Sequence, residues 1–153
     1  MKLGGWGRYP LIEAKLKSPT SIEELITLVS RGNAIGRGNG RSYGDSSISK
    51  QNTICMKNFN KILKFDNKNG LIVVESGILL SEIITTFLHR GWFPKVTPGS
   101  KYVTVGGMLA CDVHGKNHHK DGSFGNYVEW LDIITPDKEI IRCSRKTNSE
   151  VFN

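Results

Sequence analysis

The chain has 153 residues, 38% of them hydrophobic and 23% charged, which suits one soluble globular unit able to bury a sizeable core. No apolar run reaches the roughly 18 residues that a membrane-spanning helix needs. The formal net charge of +7 arises from lysines and arginines scattered along the chain, with no basic helix, aromatic-plus-basic strand motif or zinc finger, so it argues against a nucleic-acid module and predicts a mildly basic solvated surface biased toward a phosphorylated cofactor or an anionic lipid headgroup.

The predicted elements alternate irregularly. The start, Met1-Lys-Leu-Gly-Gly-Trp6, has no apolar core of a signal peptide, and the expected location is cytoplasmic. Thr20 and Ser21 precede Glu23 and Glu24 in a capping-box pattern, and Ile22, Leu25, Ile26 and Val29 recur at helical spacing; together they predict a helix over 21–30 with Gly32 near its end. That helix leads into the loop Gly36-Arg-Gly-Asn-Gly-Arg-Ser-Tyr-Gly-Asp45. Strands are expected over 62–65 and 71–75, joined by the turn Asp66-Asn-Lys-Asn-Gly70. Ser81 is expected to cap a second helix carrying Ile83, Ile84, Phe87 and Leu88, ended by Gly91. Residues 127–134 and 139–143 bracket Thr135-Pro-Asp-Lys138, a second hairpin signal. Short strands, helices and hairpins without regular βα alternation predict an α+β domain rather than a doubly wound sheet. Cys55, Cys111 and Cys143 are widely spaced, which argues against a disulfide framework and fits a reducing compartment.

Two segments carry chemistry. In the first, Gly36, Gly38, Gly40 and Gly44 give a backbone able to turn through positive φ and line a concave nest of amide N–H groups, with Arg37 and Arg41 as cationic donors. It is neither a Walker loop nor a doubly wound dinucleotide fingerprint, and by itself it favours an ordinary surface turn. The second is Thr97-Pro-Gly-Ser-Lys-Tyr-Val-Thr-Val-Gly-Gly-Met-Leu-Ala-Cys-Asp-Val-His-Gly-Lys-Asn-His-His119, followed by Gly122-Ser-Phe-Gly125. There Gly106-Gly107 can open a helix whose amides favour an anion. Cys111, His114, His118 and His119 also have ligand-like spacing for a metal, and His114 alone can be a structural histidine.

Together the two segments resemble the FAD-binding (PCMH-type) domain of the vanillyl-alcohol oxidase / p-cresol methylhydroxylase class of flavoproteins. The likeness is greatest to the oxidase subunits of decaprenylphosphoryl-β-D-ribose 2′-epimerases. It is carried by Gly5-Trp-Gly-Arg8, Gly38 to Asp45, Thr97-Pro-Gly99, Val103 to Gly107, Ala110 to His119 and Gly122 to Asn126. The resemblance implies a two-subdomain α+β fold, of which residues 1–153 are the N-terminal part, truncated before the substrate domain. It implies FAD as cofactor, contacted by Gly36, Arg37, Gly38, Asn39, Gly40, Arg41, Ser42, Tyr43, Gly44, Asp45 and Ser46, then by Gly99, Thr104, Val105, Gly106, Gly107, Cys111, Asp112, Val113 and His114. His114, Gly115 and Lys116 are implied to line the substrate pocket beside the flavin, with His114 and Lys116 candidates for a direct part in the chemistry and no base identified.

Many members of the class carry a histidine, bonded covalently to the flavin, at the position of Arg41. A guanidinium stays protonated and cannot serve as that nucleophile, so the resemblance implies FAD held without a covalent bond. The implied reaction is oxidation of a secondary alcohol of a sugar, with a polyprenyl-phosphate sugar as substrate. A nicotinamide-dependent reductase partner and peripheral membrane contact are further expectations. A lactone or alditol oxidase of the same class, and a non-catalytic remnant, are the alternatives.

Overall fold

The computed structural model of the protein describes residues 1–152. Its centre is a small parallel sheet of β3 (Leu16–Lys17), β5 (Asn52–Cys55) and β4 (Ala34–Arg37), in that order. Helix α1 (Ile22–Ser30) carries the chain from the edge strand β3 to the far strand β4, and β5 enters later between them. Being central, β5 has no solvent face, and Asn52, Thr53 and Ile54 are all buried. A short antiparallel pair, β1 (Lys2–Leu3) and β2 (Ile12–Glu13), precedes this unit.

Helix α1 forms as its sequence predicts. The Ser21 hydroxyl accepts from the Glu24 N–H at 3.2 Å, and Glu24 Oε2 accepts from the Thr20 N–H at 2.9 Å, so two otherwise orphaned amides are satisfied. Leu25 and Leu28 project from one face onto Ile54 and Phe59. At the other end the Asn52 amide donates to the carbonyls of Leu28 at 2.8 Å and Gly32 at 3.1 Å, tying the helix to the sheet.

Both expected hairpins are present. Strand β6 (Ile62–Asp66) pairs with β7 (Leu71–Val74), and β8 (Trp130–Ile134) with β9 (Ile140–Ser144). In the first turn Gly70 adopts φ 68° beneath the Trp92 ring, which a β-carbon there would strike. Helix α2 (Leu80–Phe87) packs Ile83 and Phe87 on the β6–β7 hairpin, with the Phe65 and Phe87 rings 4.5 Å apart. Its cap differs from expectation. Helix α2 begins before Ser81, which lies in the first turn. The cap position is Leu79, whose N–H donates to Glu82 Oε2 at 2.7 Å. A bridge from Leu79 to Thr104 and the bond from the Leu80 N–H to the Val103 carbonyl fix that earlier start, a tertiary constraint that no cap rule registers. Gly91, at φ 82°, ends the following 3₁₀ turn, as expected.

Helix α3 (Val105–Ala110) follows, its start tied to the carbonyls of Ile78 and Ser76, then one helical turn, α4 (His118–Asp121), and α5 (Ser149–Phe152) after β9. An open cleft of about 1190 Å³ separates the two hairpins, with Leu63, Ile72, Trp92, Phe124, Trp130 and Ile133 on its walls. The mixed helices and strands bear out the α+β expectation.

Candidate cofactor-binding site

The Gly-rich loop leaves the sheet at the end of β4. Gly40 and Gly44 take φ 64° and 55°, the left-handed region where a side chain is strained. Among the described residues, no acceptor receives the backbone N–H groups of residues 39–44. Unpaired amides grouped on one loop with a cation beneath them are a site for an anion. The loop is held from behind by Gly5 and Trp6. The Trp6 N–H donates to the Ser42 carbonyl at 2.8 Å, and a β-carbon on Gly5 would stand 2.5 Å from the carbonyl oxygens of Ser42 and Gly44.

The two candidate cationic donors have different surroundings. Arg41 is exposed, its guanidinium 4.9 Å from the centre of the Trp6 ring, a cation–π arrangement that leaves donors free. Arg37 points beneath the loop, where Nη2 donates to the Gly4 carbonyl at 2.7 Å and Nη1 to Ser47 Oγ at 3.0 Å. Burial lowers its pKa from the usual value, and it remains a cation at neutral pH. Tyr43 is 81% exposed. Asp45 is exposed, and its carbonyl accepts from the Ile48 N–H. The Ser46 hydroxyl donates to the Tyr43 carbonyl at 3.0 Å. Gly36, in β4, supplies an exposed stretch of backbone with no side chain to cover it.

The second segment meets the first at Thr104. A β-carbon on Gly38 would collide with the Thr104 side chain, and the Asn39 amide donates to the Tyr102 carbonyl at 2.9 Å. Thr104 is buried and caps α3, accepting from the Gly107 N–H at 3.2 Å. One residue therefore joins the loop to the helix.

The expectation that the amides of Gly106 and Gly107 hold an anion is not met. The Val105 N–H donates to the Ile78 carbonyl at 2.9 Å, that of Gly106 to Ser76 at 2.7 Å, and that of Met108 to Thr104 at 2.9 Å, so the first turn has no unpaired amide to offer. The glycines serve close packing instead, a β-carbon on Gly106 standing 3.0 Å from Ser76 Cβ. The amides of Cys111, Asp112 and Val113 likewise close onto Gly107, Leu109 and Met108. Gly99 is exposed with open space around it.

Asp112, at φ 38°, accepts from the Gly125 N–H at 2.8 Å. That bond, followed by one to Ser123, holds its carboxyl below the usual value. His114 bridges to Ser123, and Gly115 is buried with so little room that a β-carbon would stand 2.7 Å from the Thr97 carbonyl and Asn117 Oδ1. His114 and Lys116 present their side chains at the surface. The His114 and His118 rings are 5.2 Å apart, and those of His118 and His119 5.9 Å. Among the described residues, no three His, Cys, Asp or Glu side chains gather as a metal site. No hydrogen bond among the described residues joins the loop at 36–46 directly to Cys111–Lys116; the two reach each other through α3 and Thr104.

Ser47, Ser76 and Gly77 escaped sequence reasoning. Ser47 stands outside the glycine pattern, and a β-carbon on Gly77 would overlap the Met56 carbonyl.

A family model described as FAD binding domain matches residues 14–144. The chain belongs to the FAD binding domain family. It is 36% identical over 91% of its length to decaprenylphosphoryl-beta-D-ribose oxidase of Mycolicibacterium smegmatis, covering 32% of that protein. It is 27% identical over 99% of its length to L-gulonolactone oxidase of Bos taurus, covering 36% of it. The solved structure of an alkyldihydroxyacetonephosphate synthase superposes with a TM-score of 0.70 at 24% identity, covering 89% of this chain and 28% of that one, which establishes the shared fold. The chain thus spans about a third of the length of these relatives. FAD fits the observed residues: a dianionic diphosphate matches the unpaired amides of 39–44, the Arg41 donors and the Arg37 charge.

Proposed function

We propose that this chain is the diphosphate-holding portion of an FAD-dependent oxidoreductase that oxidises a secondary alcohol of a sugar. The reading is carried by the meeting of the glycine loop with the Thr104 helix, because the second segment of the resemblance seats the loop whose unpaired amides offer the anion site. When bound, FAD supplies a two-electron acceptor for the carbinol carbon. The chain's residues bind and orient: the 39–44 amides and Arg41 hold the diphosphate, and His114 and Lys116 present donors suited to an anion or a sugar hydroxyl. The base that takes the hydroxyl proton is assigned to no residue here.

The likeness to decaprenylphosphoryl-beta-D-ribose oxidase supports the 2′-hydroxyl of a polyprenylphosphoryl ribose as the group oxidised, in the supply of arabinose precursors for a cell wall. A cytoplasmic, peripherally membrane-associated enzyme with a nicotinamide-dependent reductase partner accompanies that reading. The likeness to L-gulonolactone oxidase supports a second one, a sugar-lactone oxidase. Arg41 in the place of an attaching histidine supports a dissociable flavin in both.

The test is direct. FAD quenched on titration into the protein and released intact by acid supports the cofactor reading; yellow colour remaining with the precipitate refutes dissociable flavin. For a gene product carrying the full catalytic apparatus, formation of the epimer only after addition of a reductase favours the ribose oxidase. Peroxide produced directly from small lactones favours the second reading.

A further inference from the structure

Arg37 stands apart from the other charged groups of the loop. It ends β4 and is half-buried, and its guanidinium makes no ion pair among the described residues. Both of its bonds go to uncharged oxygens, the Gly4 carbonyl and Ser47 Oγ. Gly40 rests on it, so that a β-carbon there would stand 2.5 Å from Nη2. Ser42 Oγ in turn donates to Ser47 Oγ at 2.9 Å, a direction that rotation of the two hydroxyls reverses when an anion accepts from Ser42, and Ser42 belongs to the stretch with unpaired amides. An uncompensated guanidinium thus underlies the loop, joined to its anion-facing side by two hydroxyls.

We propose that Arg37 is a positioning residue for the FAD diphosphate: it braces Gly4 and Gly40 and directs a hydrogen-bond chain through Ser47 Oγ to Ser42 Oγ without touching the anion. The inference rests on the cofactor reading above and changes the part that the loop pattern suggests for Arg37, from direct donor to brace. Hydroxyl protons rotate to suit their partners. With Arg37 donating to Ser47, the Ser47 proton can turn to Ser42 and the Ser42 proton to the anion. Each bond in such a chain polarises the next, and a charge removed from bulk water acts on an anion over several ångströms with little screening. The long planar guanidinium suits this position because it donates in two directions at once. An ammonium supplies the charge but spans the two acceptors less well.

FAD titrated into the full chain at several salt concentrations tests this, with circular dichroism and melting curves for each variant. Relative to wild type, Arg37→Met is expected to raise the Kd for FAD by about tenfold or more and to flatten its salt dependence. Arg37→Lys is expected to restore the salt dependence and only part of the affinity. Ser47→Ala, which leaves the Gly4 bond in place, is expected to weaken binding by about threefold to tenfold with the salt dependence unchanged. If Arg37→Met does not fold, Ser47→Ala and Arg37→Lys carry the test. Wild-type affinity in Ser47→Ala refutes the hydroxyl chain, and wild-type salt dependence in a folded Arg37→Met refutes the field of the guanidinium. A wild-type chain that leaves flavin fluorescence unchanged sinks the cofactor reading itself, a separate result.

Discussion

A methyl group at position 38 has nowhere to go, because the Thr104 side chain fills the space that a β-carbon would take. Gly38→Ala is expected to cost about 1–3 kcal/mol of stability, as overpacking does, and to weaken FAD binding by pushing the loop off α3. Thr104→Ala alone loses the cap bond to Gly107 and costs about 1 kcal/mol. In the double variant the shortened side chain gives back part of the space, so the combined loss falls short of the sum. Urea denaturation of the four proteins measures the coupling, and strict additivity counts against the contact. The glycine pattern was legible in the sequence as a backbone that must be approached closely. What approaches it was not, since Thr104 is distant in the chain and its identity as neighbour comes from the path of α3. The same limit governs Gly106 and Gly107: their smallness was visible, but their amides proved to be occupied by Ser76 and by the Thr104 hydroxyl, which only the fold reveals.

Helix starts show the same division at the next scale. The Ser21 cap uses residues within one turn, so local sequence was enough to find it. Helix α2 starts earlier than Ser81 suggests, because the Leu80 amide is held by Val103 from another part of the chain. The consequence is measurable. Ser21→Ala is expected to lower stability by about 1 kcal/mol. Ser81→Ala, inside the first turn of α2, is expected to change it by less than about 0.5 kcal/mol. Equal losses in thermal melts contradict the assigned start of α2. The hairpins were also legible, since each joins neighbours through a short turn with its own signals at Asp66–Gly70 and Thr135–Lys138. The parallel sheet was hidden. Strand β3 has only two residues, too few for a periodic pattern, and β5 takes its place between β3 and β4 by long-range pairing.

Across the whole molecule, ionised carboxylates tie separate parts together. Asp66 closes the β6–β7 turn, accepting from Asn69 and Lys68. Asp112 holds Gly125, and Asp121 pairs with Lys95 at 3.1 Å. Asp132 binds Arg142 through two bonds of 2.8 Å, and that guanidinium lies 3.8 Å above the Trp130 ring. Hydrogen bonds from these partners lower the pKa of each carboxyl from its usual value. A carboxyl with a depressed folded pKa contributes stability that is present above its unfolded pKa and is lost as pH falls through the folded one. Stability is therefore expected to be level through the neutral range and to fall below about pH 4, where unfolded aspartate begins to hold its proton. Urea midpoints from pH 7 to pH 3 check this, and Asp132→Asn is expected to flatten the fall. A midpoint that rises on acidification contradicts it.

By itself the sequence determined the α+β class, helix α1, both hairpins and the resemblance to an FAD-binding domain, because all of these rest on short-range patterns or on motifs whose residues are adjacent. The tertiary structure decided which donors remain for an anion. Arg37 and Arg41 flank the same glycines in the sequence, yet one is drawn under the loop by Gly4 and Ser47 while the other lies on the surface against Trp6. A hydrogen-bond donor is available only if no nearer acceptor has taken it, and that depends on contacts between segments far apart in the chain.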